Sequence, residues 1–203
     1  MTTKEKIVSE SLKLFSVNGF EAVSVRTIAA NVGVRDSALY KHFPSKQAIL
    51  DAIVEESKNL FYKKYKELLK KRMDNLPFDE VCLSMFHFQT GDEWIVSFRR
   101  LLMIEQFKNK KMAAIYKELF IDLPIDHQEA LFQKLIKAGI MKDNNARVMA
   151  IELYAPFFLY HTVEEDEERL TKIFRIHVKN FADKYFNEYG IEKGNEYGSY
   201  VDQ

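Results

Sequence analysis

Arg35, Asp36, Ser37 and Lys41 fall within seven consecutive positions, interleaved with the apolar Leu39 and followed by Phe43. These residue types suit the edges of DNA bases. A guanidinium or ammonium held against a duplex meets the acceptors of guanine, a carboxylate accepts from the cytosine amino group, and a hydroxyl serves several bases. Each also has a plainer use: Arg35 and Lys41 can bind phosphate, and Asp36 can serve the electrostatics of a helix start. Base reading requires a short, rigid helix lying in the major groove, so the surrounding elements must supply one.

They are laid out in order. Ile7, Val8, Ser11, Leu12, Leu14 and Phe15 recur at three- and four-residue intervals and predict a first helix, which stops at Asn18-Gly19. Ser24 caps a second helix over Val25-Arg26-Thr27-Ile28-Ala29-Ala30, and Val32-Gly33-Val34 is a turn that uses glycine for positive φ. A third helix runs from Asp36 to His42. The expected unit is a helix-turn-helix whose third helix reads bases, with Ile28, Leu39 and Phe43 as the core that aims it.

The pieces Ile7-Val8, Leu14-Phe15, Gly19-Phe20, Ser24-Val25-Arg26-Thr27-Ile28-Ala29, Gly33-Val34, Leu39-Tyr40-Lys41-His42-Phe43 and Ser45-Lys46-Gln47-Ala48-Ile49-Leu50 occur in one order and spacing. In this the first quarter of the chain resembles the N-terminal domain of the TetR family of bacterial transcriptional regulators. The resemblance implies that Tyr40, His42 and Lys46 contact phosphate and that Ser24 and Arg26 anchor the second helix to the DNA backbone. Two positions depart from it. Arg35 stands where the family often has a small hydroxyl residue, and Ser37 where it often has glycine. Both lie where sequence is read, so they bear on which operator is bound.

Net charge is zero over 203 residues, but the distribution is uneven. Residues 1–72 hold 14 Lys and Arg against 8 Asp and Glu, a net of +6, and the remainder carries −6. A cationic N-terminal end holds phosphates while an acidic remainder stays off the duplex. Lys58, Lys63, Lys64, Lys66, Lys70, Lys71 and Arg72 read more simply as the solvated face of a long helix. One cysteine, Cys82, sits among Val81, Leu83, Met85 and Phe86 and reads as a small core residue. Without a long apolar run or an apolar leader, the expected compartment is the cytoplasm.

The remainder reads as helix throughout, giving an all-α fold with a helix-turn-helix domain at 1–46, a helical ligand-binding and dimerisation bundle at 47–188 and a disordered tail at 189–203. Ser45 caps a fourth helix reaching about Arg72, broken by Asp74-Asn75-Leu76-Pro77. Later helices are expected at 78–89, 92–108, 110–121, 125–138, 144–163 and 166–187, with breaks at Gly91, Leu123-Pro124, Gly139 and Asp143-Asn144-Asn145. The acidic run Glu164 to Glu168 reads as surface residues complementing a helix start.

The last two helices are apolar on nearly every side. Either both are core, or one side packs on a second copy of the chain. The resemblance favours a dimer, with Val148, Ile151, Leu159, Ile173, Phe174, Val178, Phe181 and Tyr185 at the interface. Phe86, His87, Phe88, Trp94, Phe98, Met103, Phe107, Tyr116, Phe120, Phe157 and His161 offer an apolar pocket with polar handles, beside a kink at Pro156.

No phosphate loop, zinc-ligand cluster or nucleophile elbow is present, so neither catalysis nor a cofactor or metal is expected. The function implied is a dimeric transcriptional regulator, most simply a repressor, that binds a palindromic operator in double-stranded DNA and is released by a partly apolar or aromatic small molecule. The alternative is a ligand-independent architectural DNA binder, distinguished by weak sequence preference and steep salt dependence.

Overall fold

The structure is a computed structural model that describes residues 1–73, 77–162 and 167–187. The expected break at Asp74-Asn75-Leu76, the acids Glu164, Glu165 and Asp166, and the tail 189–203 lie outside the described residues. The chain divides into two compact units, one formed by Met1–Tyr62 with Asp92–Leu119, the other by Lys63–Gly91 with the chain from Phe120 onward.

In the first unit, α1 (Thr3–Asn18) opens with a capping box between Thr2 and Glu5 and ends at Gly19. Ser24 caps α2 (Val25–Val32), and α3 (Asp36–His42) follows after the turn at Gly33. The long helix α4 (Lys46–Met73), of which the part up to Tyr62 belongs to this unit, starts behind Ser45, whose Oγ accepts the Ala48 N–H at 3.1 Å. Asp92 caps α6 (Glu93–Glu105) and Asn109 caps α7 (Lys110–Lys117). Helix α1 packs against both α2 and α6, and α6 against α7. Ile7, Leu12, Phe15, Ile28, Leu39 and Ile49 are among the side chains fully removed from solvent, as the apolar spacing requires.

In the second unit, α5 (Phe78–Thr90), α8 (Leu123–Lys137), α9 (Ala146–Tyr160) and α10 (Glu167–Tyr185) enclose an aromatic core. Phe86 stacks on Phe174 at 4.2 Å, and Phe157 meets both rings edge-on. Cys82 is buried in this core, as its neighbours suggested.

Three boundaries differ from the sequence reading. Leu123-Pro124 opens α8 instead of separating helices, because proline in a first helical turn gives up only a donor that has no partner there. The expected 110–121 helix closes at Lys117 and passes through one π-helical turn, Glu118–Asp122. The helix expected at 144–163 runs through Pro156 as read but spans only Ala146–Tyr160. Among the described residues there is no strand, and no helix is long and apolar enough to cross a membrane.

Candidate nucleic-acid interface

Local bonds fix the angle between α2 and α3. Ser24 Oγ accepts the Thr27 N–H at 3.0 Å and lies 2.8 Å from Thr27 Oγ1. At the other end of α2, Gly33 adopts φ 79°, ψ 34° and donates its N–H to the Ala29 and Ala30 carbonyls, while Val34 donates to Ala29 at 2.9 Å. This closed turn accommodates glycine readily and L side chains poorly. Lys6 Nζ adds a bond to the Val32 carbonyl at 2.8 Å, tying the start of α1 to the end of α2.

Helix α3 sits on Leu39 and, just beyond its end, Phe43, both buried, and turns its other side outward. Arg35, Ser37, Lys41 and His42 are exposed, and Tyr40 is 52% exposed. Asp36 occupies the first helical position and lies 3.7 Å from the Arg26 guanidinium, whose side chain is 88% accessible. An ion pair this open to water contributes little, so either partner can exchange it for DNA at small cost. Arg35 precedes the helix without a side-chain capping bond. The surface therefore combines hydroxyl, carboxylate and cationic groups on a helix short enough for a major groove.

Lys46 departs from the phosphate role expected of it. Its ammonium turns inward, donating to the carbonyls of Phe20 (2.8 Å), Val23 (3.0 Å) and Glu21 (3.3 Å), and lies 4.3 Å from the centre of the Phe20 ring. An ammonium has three donors, and three carbonyls occupy them. Lys46 thus organises the α1–α2 connection, a role that spacing in the sequence did not reveal.

The aromatic set expected to line one pocket is divided. Trp94, Phe98, Met103, Phe107 and Tyr116 belong to the first unit, where Trp94 donates to Ser57 Oγ at 2.8 Å and Phe107 is 88% exposed. In the second unit a cavity of about 40 Å³ is lined by Tyr65, Leu68, Val81, Cys82, Met85, Pro124, His127, Gln128, Leu153, Tyr154, Phe157 and Phe174. Of the residues expected to line a pocket, Phe157 alone is on this wall. Phe86, Phe120 and His161 are buried without reaching it, His161 lying edge-on to Phe120 at 5.7 Å, and His87 faces Glu167 at 3.2 Å. Phe88 packs against the core of the same unit.

The cavity has little polarity. Tyr154 Oη bridges Gln89 Oε1 (2.9 Å) and the Phe120 carbonyl (2.8 Å). His127 Nδ1 lies 2.9 Å from the Leu123 carbonyl, which only accepts, so that nitrogen carries the hydrogen and Nε2 of a neutral ring is an acceptor. His127 and the wall residues Tyr65, Pro124 and Gln128 were missed because they carry no helical signature distinguishable from ordinary core or surface.

The eight residues expected at the dimer face also separate. Phe174, Val178, Phe181 and Tyr185 are buried within the chain's own core and are removed from that face, since a side chain enclosed by its own fold has no area left for a partner. Val148, Ile151, Leu159 and Ile173 remain outside, between 40% and 60% exposed, joined by Phe158 and Ile176. On α9 and α10 the apolar surface is thus two-sided.

Three comparisons bear on this geometry. The family profile described as "Bacterial regulatory proteins, tetR family" matches residues 7–53, which takes in α2, α3 and the start of α4. The nucleoid occlusion factor SlmA of Salmonella paratyphi A (strain ATCC 9150 / SARB42) is 34% identical over 163 residues, 75% of this chain and 77% of that protein. The HTH-type transcriptional regulator UidR of Escherichia coli (strain K12) is 26% identical over 115 residues, 57% of either chain. Among solved structures, SmeT of Stenotrophomonas maltophilia in complex with triclosan superposes with a TM-score of 0.65 at 20% identity, covering 93% of each chain.

Proposed function

This chain belongs to the TetR family of bacterial regulatory proteins, DNA-binding transcriptional regulators, and from that premise we propose that it binds a palindromic operator as a homodimer and is released by a small molecule held in its second unit. The observation that carries the reading is the outward side of α3, where Ser37 and Lys41, with Arg35 just before the helix, are exposed and Asp36 is half-buried, above a base formed by Leu39 and Phe43. Arg35, Ser37 and Lys41 meet base edges in this reading. Tyr40, His42, Ser24 and Arg26 hold phosphates and set register.

The second copy of the chain covers Val148, Ile151, Phe158, Leu159, Ile173 and Ile176, whose exposure is costly in water and relieved by twofold pairing. Two α3 helices then face successive major grooves, which makes the site a palindrome. The effector we infer is neutral and largely apolar, with one hydrogen-bond donor for His127 Nε2. The supports are the absence of a charged side chain among the described wall residues, the engagement of Tyr154 within the fold, and the triclosan complex of SmeT. The cavity at rest has room for a few waters, so binding displaces side chains, the flexible Met85 first.

The name of the SlmA relative favours a second reading, a DNA binder without an effector. Selection of the purified protein against random duplex DNA at near-physiological salt separates the two. A palindrome retained by the protein and lost in Tyr40→Ala and Lys41→Ala supports the operator-binding regulator; retention without a shared motif supports the architectural alternative; no retention removes the assignment of α3.

A further inference from the structure

The peptide of Phe20, in the connection between α1 and α2, is held from two directions. Its carbonyl accepts from Lys46 Nζ, at the start of α4. Its N–H donates to Glu105 Oε1 at 2.9 Å, and Glu105 is the last residue of α6, 85 positions away in the chain. Glu105 is only 6% exposed. The approach is close: a Cβ on Gly19 would stand 3.1 Å from Oε1 and 3.4 Å from the Ile104 side chain, and Gly19 holds φ at 79°.

A carboxylate in such a place is costly unless hydrogen-bonded, and an apolar residue would serve packing alone. What the carboxylate adds is direction. The bond to a backbone N–H fixes the end of α6 against one peptide, whereas packed methyl groups would let α6 slide. From that peptide the constraint passes through Lys46 to the Glu21 and Val23 carbonyls, immediately before the Ser24 cap of α2.

We propose that Glu105 is a positioning residue for DNA binding: its bond to the Phe20 N–H fixes the α1–α2 connection that leads into α2. This rests on the DNA-binding reading above.

The test uses the full chain and the duplex that the wild-type protein selects from random DNA. Glu105→Leu, which removes the acceptor, is expected to weaken binding by about tenfold or more with helical content retained, in line with loss of a hydrogen bond to a charged group. Glu105→Gln keeps an acceptor oxygen and is expected to restore affinity to within about threefold. A second measurement does not depend on either variant folding: the Phe20 amide in the wild-type protein should exchange with solvent slowly. Wild-type affinity in Glu105→Leu, or rapid exchange of the wild-type Phe20 amide, overturns the proposal while leaving the DNA-binding reading intact. Failure of the wild-type protein to select any duplex overturns both.

Discussion

The Lys46 ammonium lies 4.3 Å from the centre of the Phe20 ring and donates to that residue's own carbonyl at 2.8 Å. One cation therefore serves as a cap for three carbonyls and as a partner for an aromatic face, in a loop with no helical or strand ladder to satisfy its backbone. A lysine turned inward thus sets the connection that leads into α2.

The expected consequence is a distinction in role between two lysines five positions apart, Lys41 and Lys46. Lys46→Ala should lower thermal stability and reduce DNA affinity at all salt concentrations, leaving the slope of log K against log salt unchanged. Lys41→Ala, on the exposed side of α3, should leave stability unchanged and, where it binds phosphate, lower that slope by about one unit. Melting curves and salt titrations on both variants check this; a slope change in Lys46→Ala would return it to the phosphate contacts. Lys41 faces outward from α3, whereas Lys46 turns under the α1–α2 connection.

Arg35 and Ser37 occupy the two places where the chain departs from the family pattern, and both are exposed beside the start of α3. Arg35→Ala is expected to relax preference at one base-pair position by about 1–3 kcal/mol while leaving preference at other positions intact. Sequencing the duplexes retained by the variant measures this directly. Uniform weakening at every position would instead make Arg35 a phosphate contact.

The parts of the fold that were legible in sequence are those fixed within a few residues. The Ser24 cap, the Gly33 turn and the burial of Leu39 and Phe43 depend on neighbours within about one helical turn, and all are present. The Phe20 clamp joins positions 20, 46 and 105, and no local pattern carries a contact across 85 residues. The aromatic residues of α5, α6 and α7 share one composition but fall in two units, so composition alone grouped Trp94 and Phe98 with Phe86. On α10, Phe174, Val178, Phe181 and Tyr185 are spaced four, three and four residues apart and form one inward stripe. Finer reading of that period would have left Ile173 and Ile176 as the outward pair.

That two-sidedness separates stability from association. Leu159→Glu or Ile176→Glu is expected to convert a sedimenting dimer to monomer with the helical spectrum unchanged, because a charge on the outer face is costly only when a partner covers it. Phe174→Ala, inside the core, is expected to cost about 3–5 kcal/mol of folding stability. Analytical ultracentrifugation paired with urea unfolding distinguishes the two effects, and a Leu159→Glu protein that stays dimeric would place the interface elsewhere.

The same pair of helices contains a pH-dependent link. Glu152 on α9 accepts from Tyr185 Oη at 2.6 Å and from Lys184 Nζ at 2.9 and 3.0 Å, and the hydrogen bond from Tyr185, then that from Lys184, holds its carboxyl below the ordinary value of 4.5. A carboxyl lowered in the folded state binds fewer protons than in the unfolded chain. Its contribution is therefore fully present above the ordinary value and is lost as pH falls through the lowered one. Urea midpoints near neutral pH and about one unit below that ordinary value should fall further apart in the wild-type protein than in Glu152→Gln, which cannot ionise. Other carboxylates contribute to the acid sensitivity of both proteins, so the difference between the two curves isolates this link. Parallel curves would mean that the bond from Tyr185 is no stronger to the ionised carboxyl than to the neutral one.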